Sequence, residues 1–332
     1  MTKMKKVLAV GLAGLMAVGF AACSSSNDSG KNEDTNKDAV ATAKTGYAIS
    51  SEIKEDEYNK SETALELDSV CAAVLVDADG KIIDVKIDEA QTKPDLKKDN
   101  GDVSDLRTKL EKKEDYGMKS TSPIGKEWYE QVEAFEAWAK GKTAEEVKAG
   151  IGEDGYASDA DLKAGCTIYA NGFATVTAKA VENATDCGAK ATDTLKLGMT
   201  TSKYYESNET NLQYDTDYAI VTVDADGKVT SCIIDASQAK CTIADGKFTV
   251  EKGAFKSKTE LGDDYAMKSA SPIGKEWYEQ AAAYEQWCIG KTADEIKGCY
   301  GEDMSASDAD LKAGCTITIR AIADNTAKAI NS

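Results

Sequence analysis

The chain has 332 residues, with 58 acidic side chains against 40 basic ones and a net charge of −18. Such a balance disfavours nucleic acid and anionic lipid surfaces as partners. It contains no histidine, which excludes histidine-ligated haem and the commoner zinc sites.

The first residues carry Lys3, Lys5 and Lys6 and no acid, followed by an apolar run from Val7 to Phe20 and then Ala21-Ala22-Cys23. A basic start, a short apolar core and small residues before a cut are the layout of a secretory signal. The run falls short of the roughly 20 residues a spanning helix needs, although an uncleaved anchor and an ordinary signal peptide are the alternatives. Cysteine directly after two alanines resembles the bacterial lipobox, in which the thiol takes a diacylglycerol and becomes the new N-terminus. Phe20 stands where leucine is commoner. The expectation is a signal peptide over 1–22, a lipid on Cys23 and a place on the extracytoplasmic face of the cell membrane. Removing the three lysines takes the net charge from −18 to −21. Residues 24–46 are polar, lack aromatics and have nothing to bury, so a disordered tether is predicted there.

Beyond the tether the chain repeats itself. Tyr116–Lys142 and Tyr265–Lys291 are identical at 19 of 27 positions, at an offset of 149, and SDADLKAGCTI recurs unchanged at Ser158–Ile168 and Ser307–Ile317. VDADGK appears at Val76–Lys81 and Val223–Lys228, at an offset of 147, so the length difference falls between about 88 and 115. The repeat predicts two modules, over 47–185 and 198–332, joined by a linker at 186–197. Each is long enough for its own core.

Within a module, Ala72–Val76 and Lys81–Ile87 are β-rich runs around Asp79-Gly80, a hairpin signal that Tyr218–Val223 and Val229–Ile234 repeat around Asp226-Gly227. Two aspartates are too few for a calcium loop, and a surface turn is the plainer reading of VDADGK. Ser122-Pro123 is expected to open a helix. Trp128, Val132, Phe135 and Trp138 then fall on one helical face, as do Trp277, Ala281, Tyr284 and Trp287. This stripe reads as core, or as one aromatic wall for a planar ligand. Thr143 with Glu146, and Thr292 with Glu295, have the spacing of capping boxes. An acidic turn at SDADLKAGCTI, an extended Thr-Ile pair and a small-residue C-terminal helix complete the module. The predicted class is α+β, each module an antiparallel sheet with packed helices.

SDADLKAGCTI stays constant while neighbouring strands and helices diverge, which points to a local constraint. Gly165 and Gly314 permit backbone conformations that other residues avoid. Each stands two residues before a threonine near a predicted helix start, where N–H groups favour a phosphate. Asp161 and Asp310 lie six residues before those threonines.

Asp161-Leu162-Lys163-Ala164-Gly165-Cys166-Thr167 and Asp310-Leu311-Lys312-Ala313-Gly314-Cys315-Thr316 resemble the Asp-x-x-Ser/Thr-Gly-Ala-Ser/Thr motif of FMN-binding domains. These are the domains of sodium-pumping and Rnf-type respiratory complexes and of some surface flavoproteins. Gly117-Met118, then Trp128, Gln131 and Gly141-Lys142, is similar to the family's Gly-Leu-Gly and aromatic–Gln–Gly-Lys pattern. The likeness is greatest to a branch of membrane-anchored, immunogen-like lipoproteins. It implies FMN, held non-covalently or linked by a flavin transferase through its phosphate to Thr167 and Thr316. Asp161, Gly165, Cys166 and Thr167, their copies Asp310, Gly314, Cys315 and Thr316, and Met118, Met267, Lys126 and Lys275 are the implied cofactor-binding residues. Lys119 and Lys163, with Lys268 and Lys312, are further cations for the phosphate. Ala164 and Ala313 depart from the family's hydroxyl residue, and Cys166 and Cys315 from its alanine. The first change weakens the case for a covalent bond more than the case for the fold.

The function so implied is an electron carrier with a membrane redox partner, rather than an enzyme with its own substrate. The other reading is a cofactor-free surface lipoprotein that binds a ligand or partner. No nucleophile–base arrangement suggests a hydrolase. Of the eight cysteines after Cys23, only Cys166 and Cys315 fall at matching places. Pairing of Cys232 with Cys241, or of Cys288 with Cys299, stays open.

Overall fold

The computed structural model describes residues 41–56, 64–95, 101–208, 210–245, 247–250 and 256–332. The signal segment, Cys23 and the tether to residue 40 lie outside the described residues. No helix among the described residues is long and apolar enough to cross a membrane.

The chain folds as α+β. Strands β1 (Lys44–Glu55), β2 (Leu65–Val76) and β3 (Ile82–Thr92) form an antiparallel sheet in that order. Helices α1 (Lys109–Lys112), α2 (Trp128–Ala139), α3 (Ala144–Ala149), α4 (Ala160–Gly165) and α5 (Asn171–Glu182) follow. The second module repeats the order. Its sheet runs β4 (Thr194–Lys203), β5 (Asn211–Val223), β6 (Val229–Ala244) and β7 (Lys247–Val250). Its helices are α6 (Lys258–Leu261), α7 (Trp277–Cys288), α8 (Ala293–Lys297), α9 (Ala309–Gly314) and α10 (Arg320–Asn331).

Local chemistry explains the repeated joints. In VDADGK the Asp77 carboxylate accepts the N–H groups of Asp79 and Lys81, both at 2.9 Å, and Gly80 sits at φ +76°. Asp224 and Gly227 repeat the turn with the same distances. The motif is a hairpin turn whose first aspartate is occupied by its own backbone. Both Thr–Glu capping boxes form.

Four boundaries differ from expectation, one of them β4, which starts at Thr194 inside the stretch 186–197 read as linker. β1 starts inside the stretch read as tether, because Ala43 and Thr45 are buried and bonded to the backbone of Ala189 and Thr185. The long helix starts at Trp128, not Ser122; Ser122 Oγ instead accepts from Lys126 N–H and closes a turn. The SDADLKAGCTI segment contains a short helix, capped at its start by Asp159 and Asp308.

The sheets are covered on both faces. On one face Ala72, Val74, Val76, Val85 and Ile87 meet Trp128, Val132, Phe135 and α5; the second module builds the same core around Trp277 and Tyr284. On the other face the two sheets pack on each other, Ile49, Cys71, Ala73 and Leu75 against Leu195, Met199, Tyr218 and Ile220. Successive residues of a strand point to opposite faces, so β2 is apolar at every position from Val70 to Val76, where both faces are covered. The result is four layers, helices–sheet–sheet–helices, in which the described residues from 41 onward form one compact unit containing both modules.

All eight described cysteines are free thiols. Cys232 and Cys241 lie nine positions apart on β6, roughly 30 Å at strand rise, and cannot pair.

Candidate functional site

The repeated threonines are held by a buried glutamine. Gln131, on the first turns of α2, has no exposed surface. Its Oε1 accepts both the N–H of Thr167 at 2.8 Å and its hydroxyl at 3.1 Å. Its Nε2 donates to Ser122 Oγ at 3.1 Å and to the Lys126 carbonyl at 3.3 Å. All four hydrogen-bonding positions of the amide are used, which fixes its orientation. Gln280 repeats the arrangement with Thr316 (2.8 and 3.0 Å), Ser271 and Lys275 (both 3.2 Å). A second buried side chain, Glu127, accepts the N–H groups of Met118 at 2.8 Å and Lys119 at 3.1 Å, and Glu276 does the same for Met267 and Lys268.

This geometry revises the roles expected of the motif. Gly165 and Gly314 are not at positive φ. Each ends a short helix at a point where a Cβ would stand 2.7 Å from the Cβ of Ala134 or Ala283, so the glycine is needed for close helix approach. Cys166 and Cys315 are fully buried in the module cores, and burial pushes each thiol up to about 11. They face packing, not a ligand. Asp161 and Asp310 are exposed on the first turn, while Asp159 and Asp308 do the capping through bonds of 2.9 to 3.1 Å. Lys119, Lys163, Lys268 and Lys312 are exposed; Lys126 and Lys275 are half-buried beside the glutamine clamps. Thr167 and Thr316 are half-buried.

Next to the first clamp a cleft of about 920 Å³ opens. It forms where the helix-facing side of the first sheet runs on beyond its helix cover, and there the apolar residues give way to charged ones. Its ring-bearing walls are Tyr116, Trp128, Tyr169 and Phe173, with Met118 beside them. Its floor is polar. Lys109 is buried, pairs with Glu89 at 2.7 Å and lies over the rings of Tyr116 (5.0 Å) and Trp128 (5.6 Å). Lys54 bridges Asp68 (2.6 Å) and Glu66 (3.1 Å), and Lys93 meets Glu66 at 2.7 Å. Gln91 Nε2 donates to Glu66 at 3.1 Å. Burial opposes charge on both carboxylates. The hydrogen bonds from Lys93 and Lys54 nevertheless hold Glu66 low, whereas burial and the Glu89 charge push Asp68 up.

Of the expected site residues, the structure brings Met118 to this cleft, and sets Thr167 directly before Ile168 and Tyr169 of its wall. Sequence reasoning missed Lys109, Tyr169, Phe173 and the polar floor. The signal was present in the alternation of Glu66, Asp68 and Val70 with Glu89, Gln91 and Lys93, because residues two apart share a face of a sheet and Asp68 is paired with Gln91 in the register. Among the described residues no cluster of histidine, cysteine or carboxylate side chains could hold a metal ion.

No family model matches this chain, and no solved structure matches it. A stretch of 58 residues is 36% identical to a chlorophenol reductase of Desulfitobacterium hafniense, covering 18% of this chain and 18% of that protein. The chain therefore spans less than a fifth of that relative's length in the matched region, too little to bring an activity with it.

Proposed function

We propose that this chain is a lipid-anchored, extracytoplasmic flavoprotein-like lipoprotein that relays electrons through FMN held on one or both modules. The observation that carries the reading is the Thr167 hydroxyl, fixed by Gln131 on the segment that leads into the wall of an aromatic-sided cleft. The cleft is within the usual size of a cofactor site, about 300–1,000 Å³. Its donor set suits the group: rings to lie against the isoalloxazine, and amide and lysine donors at its polar edge. The first-turn N–H groups of α5, at Gly172 and Phe173 of the cleft wall, are groups suited to a phosphate, and Lys126 stands beside the glutamine clamp outside the cleft lining. A bound flavin supplies the one- or two-electron chemistry itself, and the protein positions it and tunes it.

In the covalent form Thr167 Oγ1 would be the hydroxyl that a flavin transferase esterifies with the FMN phosphate, and Gln131 Oε1, which also accepts the Thr167 N–H, would keep the loop pinned. The lipid on Cys23 and the polar segment after it give the redox body its reach from the membrane to a redox partner.

The test is a visible spectrum of the full chain isolated from its native membrane, with flavin fluorescence on a denaturing gel. A flavin band that Thr167→Ala and Thr316→Ala together remove from the denatured chain supports the covalent form. A flavin that is released on denaturation supports the non-covalent form. A colourless protein of unmodified peptide mass overturns the proposal. That last outcome favours the second reading, a cofactor-free binding lipoprotein. Its supporting observation is that most of the repeated motif is already engaged in packing. Asp159 caps a helix, Leu162 and Cys166 fill the core, Gly165 meets Ala134 and Thr167 bonds Gln131.

A further inference from the structure

We infer that the ligand site survives in the first module alone, with one planar ring bound per chain, and that the second module is a scaffold. This inference rests on the flavin reading above and assigns it to one of the two copies.

The two modules agree where packing demands it and disagree around the cleft. The glutamine clamps, capping boxes and helix stripes recur. The lip of the cleft does not. In the first module Tyr169 is 57% exposed and meets Tyr156 edge-on at 5.8 Å, and Gly155 lets the ring pass: at φ +80°, its Cβ would fall 2.1 Å from the Tyr169 ring. In the second module the three positions are Met304, Ser305 and Thr318. Met304 keeps the left-handed conformation at φ +61° without being glycine. That conformation is strained for a side chain, and it is sterically allowed here because Thr318 presents no ring to clear.

The floor changes with the lip. Lys54, Glu66 and Glu89 are replaced by Tyr204, Gln213 and Ala236 at the equivalent strand positions. The interlocked set is thereby thinned to Asp215, Gln238 and Lys240, and Gln213 Nε2 donates to Asp215 at 2.6 Å. Lys258 still lies over Tyr265 and Trp277, but its carboxylate neighbour is Asp217, at the position of Val70, in place of a counterpart of Glu89. At the helix start, Asn171-Gly172-Phe173 becomes Arg320-Ala321-Ile322, which removes the ring and sets Arg320 against Asp324 at 3.8 Å. These changes take away two of the rings and the Lys54–Glu66–Glu89 part of the polar edge that a planar, hydrogen-bonding ring would use, while Tyr265, Trp277, Asp215, Gln238 and Lys240 stay in place. Identity of the threonine motif in both copies does not count against this, since its residues hold the turn together in each.

The test uses the full chain, produced with a flavin transferase and saturated with FMN. Flavin absorbance per chain gives the stoichiometry, peptide masses or crosslinks give the module, and FMN affinity is compared between Tyr169→Ala and Thr318→Ala. Both substitutions are at surface positions, so the fold stays intact. The expected result is one flavin per chain on the first module, with Tyr169→Ala weakening FMN about tenfold and Thr318→Ala leaving it unchanged. Two flavins per chain, or one borne on the peptide of Thr316, overturns the inference while leaving the flavin reading intact. A chain that takes no flavin by any route sinks both.

Discussion

Lys179 Nζ lies 2.7 Å from Glu260 Oε1, which ties α5 of the first module to α6 of the second. The copies of these two residues, Lys328 and Glu111, meet in the opposite sense at the same 2.7 Å. A contact in which residue i meets j and the copy of j meets the copy of i marks a two-fold interface. The duplicated modules thus pack as an internal dimer, through the sheet faces that each would otherwise leave bare. Half-exposed ion pairs of this kind are worth under about 1 kcal/mol each. They specify the arrangement, and the apolar sheet interface supplies most of its strength.

One consequence is cooperativity. Chemical unfolding of the chain is expected to give a single transition, because Tyr218, buried among Ile49, Cys71 and Met199, belongs to both halves at once. Tyr218→Ala should lower stability by about 3–5 kcal/mol and separate the transition into two. Two transitions in the unsubstituted chain would show that the halves fold independently.

The glutamine clamp makes a second expectation. Gln131→Ala removes the acceptor of Thr167 N–H and the donor to Ser122 and Lys126, leaving buried polar groups unsatisfied at a cost of about 2–3 kcal/mol. Loss of amide-exchange protection at Thr167 should accompany it. Unchanged protection there would mean the clamp does not hold the turn.

Gly165→Ala tests the close-approach role assigned to that residue. The added methyl meets Ala134 Cβ at 2.7 Å, and a loss of about 1–3 kcal/mol is expected. Ala134→Gly in the same chain should recover part of it, measured by urea unfolding. Absence of any rescue would mean the glycine serves another purpose.

Acid–base behaviour follows from two buried glutamates at equivalent positions. Glu136 accepts Ile87 N–H at 2.8 Å and Glu285 accepts Ile234 N–H at 2.9 Å, and burial pushes each carboxyl up from 4.5 to about 7. Each binds its proton more tightly in the folded state. Its stabilising contribution is therefore complete below pH 4.5 and is lost as pH rises through about 7, with a slope of up to about 1.4 kcal/mol per pH unit per group. Glu66, held low by its lysines, acts in the opposite direction and weakens the fold as pH drops below its unfolded value. The melting temperature should peak near about pH 5. Glu136→Gln with Glu285→Gln keeps an acceptor for each strand N–H and should flatten the fall toward neutral pH. An unaltered profile would assign the slope to other groups.

Local rules acting over a few residues made much of the fold legible. The Asp–Gly hairpins, the Thr–Glu capping boxes, the stripe from Trp128 to Trp138 and the repeat itself are all properties of neighbours in sequence, and they form as expected. A Ser-Pro pair suits a helix start, whereas the Ser122 hydroxyl answers to Lys126 and to Gln131, nine residues away. At Gly165 the sequence records the missing side chain but not Ala134, the neighbour that requires its absence. The site depended most on tertiary structure. Gln131 reaches Thr167 across 36 positions, and the cleft exists because the sheet outruns its helices. Sequence alone determined the elements and the duplication, since hydrogen bonding and apolar periodicity are local. Packing decided which sheet face meets its copy, which glycine makes room and which charges share the cleft, because those depend on distances between residues far apart in the chain.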